Sequence, residues 1–142
     1  MALLLVPDME DVVGDYLRNL DEIEAIGAKV VGLPLGDSRQ PWVLVSVLDS
    51  PRRGPIDHLI EFFMQFSCYA GKDATVAHGG QAQVNSLART VRAALNELPE
   101  TDLTGVVVSG VEVSFGPRLE DDTVEPARQH LPVEATIWAH AR

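Results

Sequence analysis

The sequence predicts an α+β domain in which an antiparallel or mixed β-sheet of four to five strands carries two main helices packed on one face. Three observations predict it. Two stretches repeat apolar residues with the helical period, several others alternate with the strand period, and the strands follow one another as hairpins rather than alternating strictly with helices. With 142 residues the chain is long enough for one core that buries roughly two-thirds of its unfolded surface. No linker, internal repeat or low-complexity tract divides it, so residues 1–142 are expected to form a single domain.

Asp8 is placed to cap a first helix, in which Met9, Val12, Val13, Tyr16, Leu17 and Leu20 fall on one stripe. Glu10 and Asp11 in its first turn suit the positive end of the helix dipole, and Gly14 weakens the helix without forbidding it. A short turn through Ile23 and Ile26 leads to a brief strand at Lys29–Val31, and Gly32 to Pro41 reads as loop. Trp42–Leu48 is a strand, ended by SPRRGP. From Ile60 to Ala70, Ile60, Phe62, Met64, Phe66, Cys68 and Ala70 alternate with Glu61, Phe63, Gln65, Ser67 and Tyr69, a long strand with one strongly apolar face. After a polar loop from Gly71 to Gly80, Val84, Leu87, Ala88, Val91, Ala94, Leu95 and Leu98 trace a second helix that closes before Pro99.

Two strands end the chain. In the first, Val107, Ser109, Val111, Val113 and Phe115 alternate with Val108, Gly110, Glu112 and Ser114, with Gly110 marking a bulge. In the second, Val133, Ala135, Ile137 and Ala139 alternate with Glu134, Thr136, Trp138 and His140. Both helical stripes need an apolar sheet face, so the expected core is Val12, Val13, Tyr16, Leu17, Phe62, Met64, Phe66, Leu87, Val91, Leu95, Val111, Val113, Val133 and Ile137.

Composition narrows the function classes. A hydrophobic fraction of 46% with 23% charged residues fits a globular chain rather than a disordered one. No run approaches the ~18 apolar residues of a membrane span. The start MALLLVPDMED lacks a basic lead and is a poor secretory signal. Cys68 as the sole cysteine allows no internal disulfide, consistent with a reducing compartment. Twenty-one acidic against eleven basic side chains give a net charge of −10, the wrong sign for gripping nucleic-acid phosphates. The acid gathers near the N-terminus (Asp8, Glu10, Asp11, Asp15, Asp21, Glu22, Glu24) and between the last two strands (Glu120, Asp121, Asp122, Glu125); such runs are ordinarily solvated faces.

No spacing demands chemistry. His58, His78, His130 and His140 lie on separate elements without helical i, i+4 spacing or a neighbouring cysteine, so no metal or cofactor site is expected. Ser67 lacks the glycine-flanked elbow of a nucleophilic serine, and Cys68 reads as a small core residue, so no catalytic residue is assigned. The glycines of GVVVSGVEVSFG follow strand periodicity and cannot form a phosphate cradle.

The chain resembles the tail-terminator, or tail-completion, proteins of long-tailed bacteriophages with non-contractile tails. The resemblance lies in the opening helix LLVPDMEDVVGDYLRNL, the strand PWVLVSVLD, and the strand IEFFMQFSCYAG leading into the helix AQVNSLARTVRAALNELPE. It extends through the closing pair GVVVSGVEVSFGPRLEDD and PARQHLPVEATIWAHA. The short, proline-rich SPRRGPID departs from the pattern.

The resemblance implies a structural virion protein, not an enzyme. Its copies would close into a homo-oligomeric ring, usually of six, that caps the last ring of tail-tube protein, ends tube growth and meets the head connector or stopper. It would be assembled in the host cytoplasm and reside at the head-proximal end of the tail. Genome DNA would pass through the lumen without specific binding, repelled by the roughly −60 of six copies. A head-side connector or stopper is the alternative within this class, and a cytosolic ligand-binding α+β domain the alternative outside it. Loops are natural carriers of contacts. The assembly-contact candidates are therefore Arg39 and Trp42 in and after the first long loop, Arg52 and Arg53 in the turn between Pro51 and Pro55, and Lys72 in the next loop. Arg118, Glu120, Asp121, Asp122 and Arg128, in the acidic excursion between the last strands, complete the set.

Overall fold

In the computed structural model, residues 6–35, 38–48, 52–53, 59–72, 80–115, 120–121 and 129–141 are described. Helices α1 (Met9–Arg18) and α2 (Asp21–Ile26) precede strands β1 (Lys29–Val31), β2 (Trp42–Val47), β3 (Arg52–Arg53) and β4 (Ile60–Tyr69). Helix α3 (Gln81–Asn96) and a 3-10 turn (Leu98–Glu100) follow, then β5 (Val106–Phe115), β6 (Glu120–Asp121) and β7 (Gln129–Ala141). The five longer strands form one sheet in the order β1-β2-β4-β7-β5, while β3 adds to β4 and β6 to β7. Only β1 and β2 are parallel, so the sheet is mixed. The fold is α+β, as the periodicities predict.

Each helix sits where its stripe can be buried. Asp8 caps α1 by accepting a hydrogen bond from the Asp11 amide at 3.2 Å. Met9, Val13 and Leu17 are buried, with Val12, Tyr16 and Leu20 packed beside them. Gly14 serves its neighbour: a Cβ there would come within 3.2 Å of the Arg18 guanidinium. That guanidinium folds back along the helix, donates from Nε to the Val30 carbonyl at 3.0 Å and pairs with Asp15, tethering α1 to β1. On α3, Val84, Leu87, Ala88, Val91 and Leu95 are fully buried, and the Tyr16 hydroxyl donates to the Ala94 carbonyl at 2.8 Å, joining the helices. Phe62, Met64 and Phe66 of β4 and Val133, Ala135 and Ile137 of β7 form the sheet side of this core. Burying each large apolar side chain contributes about 1.5–3 kcal/mol.

Ten of the fourteen expected core residues are fully buried, and Val12, Tyr16, Val111 and Val113 are partly buried against them. Three local expectations need correction. The turn through Ile23 and Ile26 is the helix α2, closed by Gly27 in the left-handed conformation at φ 78°. With only Ile23 buried, it is too short to show a stripe. The second helix stops at Asn96, and Pro99 lies inside the 3-10 turn that follows, where its missing N–H costs nothing. The simple alternation expected for β5 is broken by bulges between Val108 and Gly110 and between Val113 and Phe115. Val106 and Val108 therefore point inward with Val111 and Val113, and Val107 lies on the opposite face.

Candidate functional site

All the helices cover one face of the sheet, and strand parity assigns Trp42, Leu44, Phe63, Gln65, Tyr69, His130, Glu134 and Trp138 to the other. One end of that face holds a three-ring stack. Trp42 lies on Tyr69 with centroids 4.1 Å apart and planes 11° from parallel, and Tyr69 lies on His130 at 4.3 Å and 3°. The register makes these rings neighbours, since Trp42 pairs with Tyr69 and Tyr69 with His130 across β2, β4 and β7. Such stacking adds about 0.5–1.5 kcal/mol per aromatic pair beyond area burial. Further along, the Gln65 amide donates to the Glu134 carboxylate at 3.3 Å.

Two loops pack together beside the stack. The Lys72 amide donates to the Ser38 carbonyl at 2.8 Å, and the Gly71 amide to Gln83 Oε1 at 2.9 Å. A Cβ on Gly71 would stand 2.2 Å from the Arg39 carbonyl oxygen, so only glycine lets the two backbones approach this closely. Arg39 and Lys72 are both exposed, on adjoining loops.

The structure thus gathers Arg39, Trp42 and Lys72 at the end of the sheet where β4 finishes and β7 begins. Glu120 and Asp121 belong to the same end, because β6 pairs them with His130 and Gln129. That part of the acidic excursion is a strand paired with β7. Arg52 and Arg53 are expected in a turn but form β3, opposite Glu61 and Ile60 at the start of β4. The ten residues of β4 separate the two groups by about 30 Å. Arg118, Asp122 and Arg128 lie outside the described residues.

Trp42, also among the candidates, is buried. It is 2% exposed and stacked within the protomer, so its role is to hold β2 against β4 rather than to meet another molecule. Its partner Tyr69, the His130 ring stacked in turn on Tyr69, and the close approach at Gly71 escape sequence reading, because all three depend on cross-strand register and loop packing. The even spacing of Tyr69 with Phe63 and Gln65 shows only a shared face.

Among the described residues no group of three or more His, Cys, Asp or Glu side chains is arranged to hold a metal ion. His130 and His140 stand at opposite ends of β7, while His58 and His78 lie outside the described residues. Cys68 is fully buried in the core, and desolvation pushes its thiol far above the ordinary range, opposite to what a nucleophile requires. No helix among the described residues is long and apolar enough to cross a membrane. No family model matches the chain, and a search of characterised proteins returns no match.

Proposed function

We propose that this chain is a structural protein of a bacteriophage tail: a tail terminator whose copies close into a ring on the tube end, stop tube polymerisation and present a second surface to the head connector. The reading rests on the resemblance in element order and on one observation. The contact candidates among the described residues, apart from the buried Trp42, fall into two groups at opposite ends of β4. A ring subunit that joins two different assemblies needs two unlike axial ends as well as two unlike sides. The Arg52–Arg53 end and the end bearing Arg39, Lys72, Glu120 and Asp121 supply unlike ends. The sides are also unlike, with the three-residue β1 at one edge of the sheet and the ten-residue β5 at the other. Partners are accordingly further copies of the chain, the tail-tube protein and the connector or stopper.

The test is a phage from which the coding sequence has been deleted. Electron microscopy of the lysate is expected to show tails of uncontrolled length that carry no head. Tails of normal length that fail to join heads would move the protein to the connector side, and normal infectious particles would end the assembly reading.

A further inference from the structure

Among the described residues the large apolar side chains left exposed are Val6 at 52%, Leu33 at 78% and Leu48 at 50%, and all three gather at one edge of the sheet. β1 ends opposite Leu44, so β2 is itself the edge from Val45 onward, and Leu48 follows its last residue. Gly32, beside Leu33, and Asp8, two residues after Val6, line one depression with Val45. The opposite edge is β5, where Val111 and Val113 are only partly buried against the core. Register puts the two apolar groups at one height. The Leu48 amide donates to the Phe63 carbonyl at 2.8 Å, and the rung from Phe63 runs through Thr136 to Glu112, between Val111 and Val113. A second rung carries charge: Lys29, exposed in β1, lies opposite Trp42, Trp42 opposite Tyr69, Tyr69 opposite His130 and His130 opposite Glu120. Because β4 occupies the other side of β7 at His130, β6 lies on the β5 side, and this line of pairings runs from a lysine at one edge to a glutamate at the other.

We infer that these two edges meet between neighbouring copies of the chain, with Leu33 of one copy seated against Val111 and Val113 of the next and Lys29 set against Glu120. The inference rests on the ring reading, in which the axis runs along β4 between the two unlike ends. A ring closes by rotation without rise, so features that meet must stand at equal heights on the two sides of one protomer. Two independent rungs satisfy that condition, apolar with apolar and cation with acid, and a foreign partner would impose no such match on a single chain. Side chains rather than a shared sheet make the contact. The Val30 carbonyl accepts from Arg18 Nε at 3.0 Å and the Val47 amide donates to Glu10 Oε1 at 2.9 Å, which closes the first edge to a further strand. On the second edge two bulges interrupt β5.

The test is cross-linking of the full chain carrying Leu33→Cys, Val113→Cys or both, treated with a short bismaleimide free in solution and on tail tubes. The parent chain is the blank, because Cys68 is fully buried. The double variant should give a ladder of covalent oligomers on a denaturing gel. A mixture of the two single variants should give dimers, and neither single variant alone should give any. Dimers from Leu33→Cys alone, which would mean that like edges meet, or no products in either setting would overturn the proposal. Lys29→Glu should weaken association of copies about five-fold or more, and Glu120→Lys in the same chain should restore it to within about two-fold of the parent. Two additive losses would also overturn it. Rings on tube ends that yield no ladder would overturn this interface and leave the ring reading in place, whereas a ladder from a protein that leaves tubes uncapped would keep the interface and overturn the tail reading.

Discussion

Gly71→Ala perturbs the structure at one methyl group. The added Cβ would lie 2.2 Å from the Arg39 carbonyl oxygen and 2.9 Å from the Arg39 and Gln40 carbonyl carbons, all of them backbone atoms that cannot rotate away. Ordinary contact requires the 38–40 segment to retreat by about 1 Å. That movement strains or breaks the Lys72 amide bond to Ser38. Overpacking of this kind costs about 1–3 kcal/mol and a lost hydrogen bond about 1, for a total of about 2–4 kcal/mol. In urea, with a slope near 2 kcal/mol per M, the unfolding midpoint should fall by about 1–2 M. Gly32→Ala is the control, since a Cβ there meets nothing within 4 Å, and it should stay within about 0.5 kcal/mol of the parent. A Gly71→Ala midpoint within ~0.2 M of the parent, or an equal loss in Gly32→Ala, would refute the packing of these loops and with it the grouping of Arg39 with Lys72.

Leu87→Ala and Leu95→Ala, each in a fully buried α3 position, should each cost about 2–5 kcal/mol, and unchanged melting of both would mean that α3 presents another face to the sheet. Cys68 has a thiol pKa raised by burial, so its contribution to stability is complete below the ordinary value of 9.0 and is lost as pH climbs above it, when the unfolded chain releases the proton first. Stability should fall by about 1.4 kcal/mol per pH unit beyond that point, with Tyr16 adding to the slope above 10.0, and urea titrations of Cys68→Ala should lack the cysteine share. Asp121→Asn with Asp122→Asn should leave folding within about 0.5 kcal/mol yet weaken ring closure or head joining in a salt-dependent way, as read by particle yield across ionic strengths. Unaltered yield at every salt concentration would remove the acidic excursion from assembly.

The long, strongly periodic segments were legible because burial on one face leaves a period in the sequence. The stripe from Val84 to Leu95 and the alternation from Ile60 to Cys68 each matched an element of the structure. What escaped lacks such a period. Helix α2 has a single fully buried residue, and each bulge in β5 inserts a residue that shifts the inward set by one, so Val107 and Val108 exchanged faces. Contact candidates chosen by loop position were only partly sorted by it. Trp42 sits at the loop's end in sequence but inside the protomer in space, because its pairing with Tyr69 is a matter of register. The gathering of Arg39, Lys72, Glu120 and Asp121 at one end of the sheet depends on the β4–β7 pairing, which joins residues far apart in the chain, as well as on the local β6–β7 pairing.

We propose that this chain ends tail-tube growth by capping the tube. Capping is tested most directly by electron microscopy of the purified protein mixed with tubes polymerised from the cognate tail-tube protein. The account predicts a ring of density at one end of each tube and no elongation of capped tubes when fresh tube protein is added. Density spread along the tube walls, or tubes that lengthen as fast with the protein as without it, would contradict it.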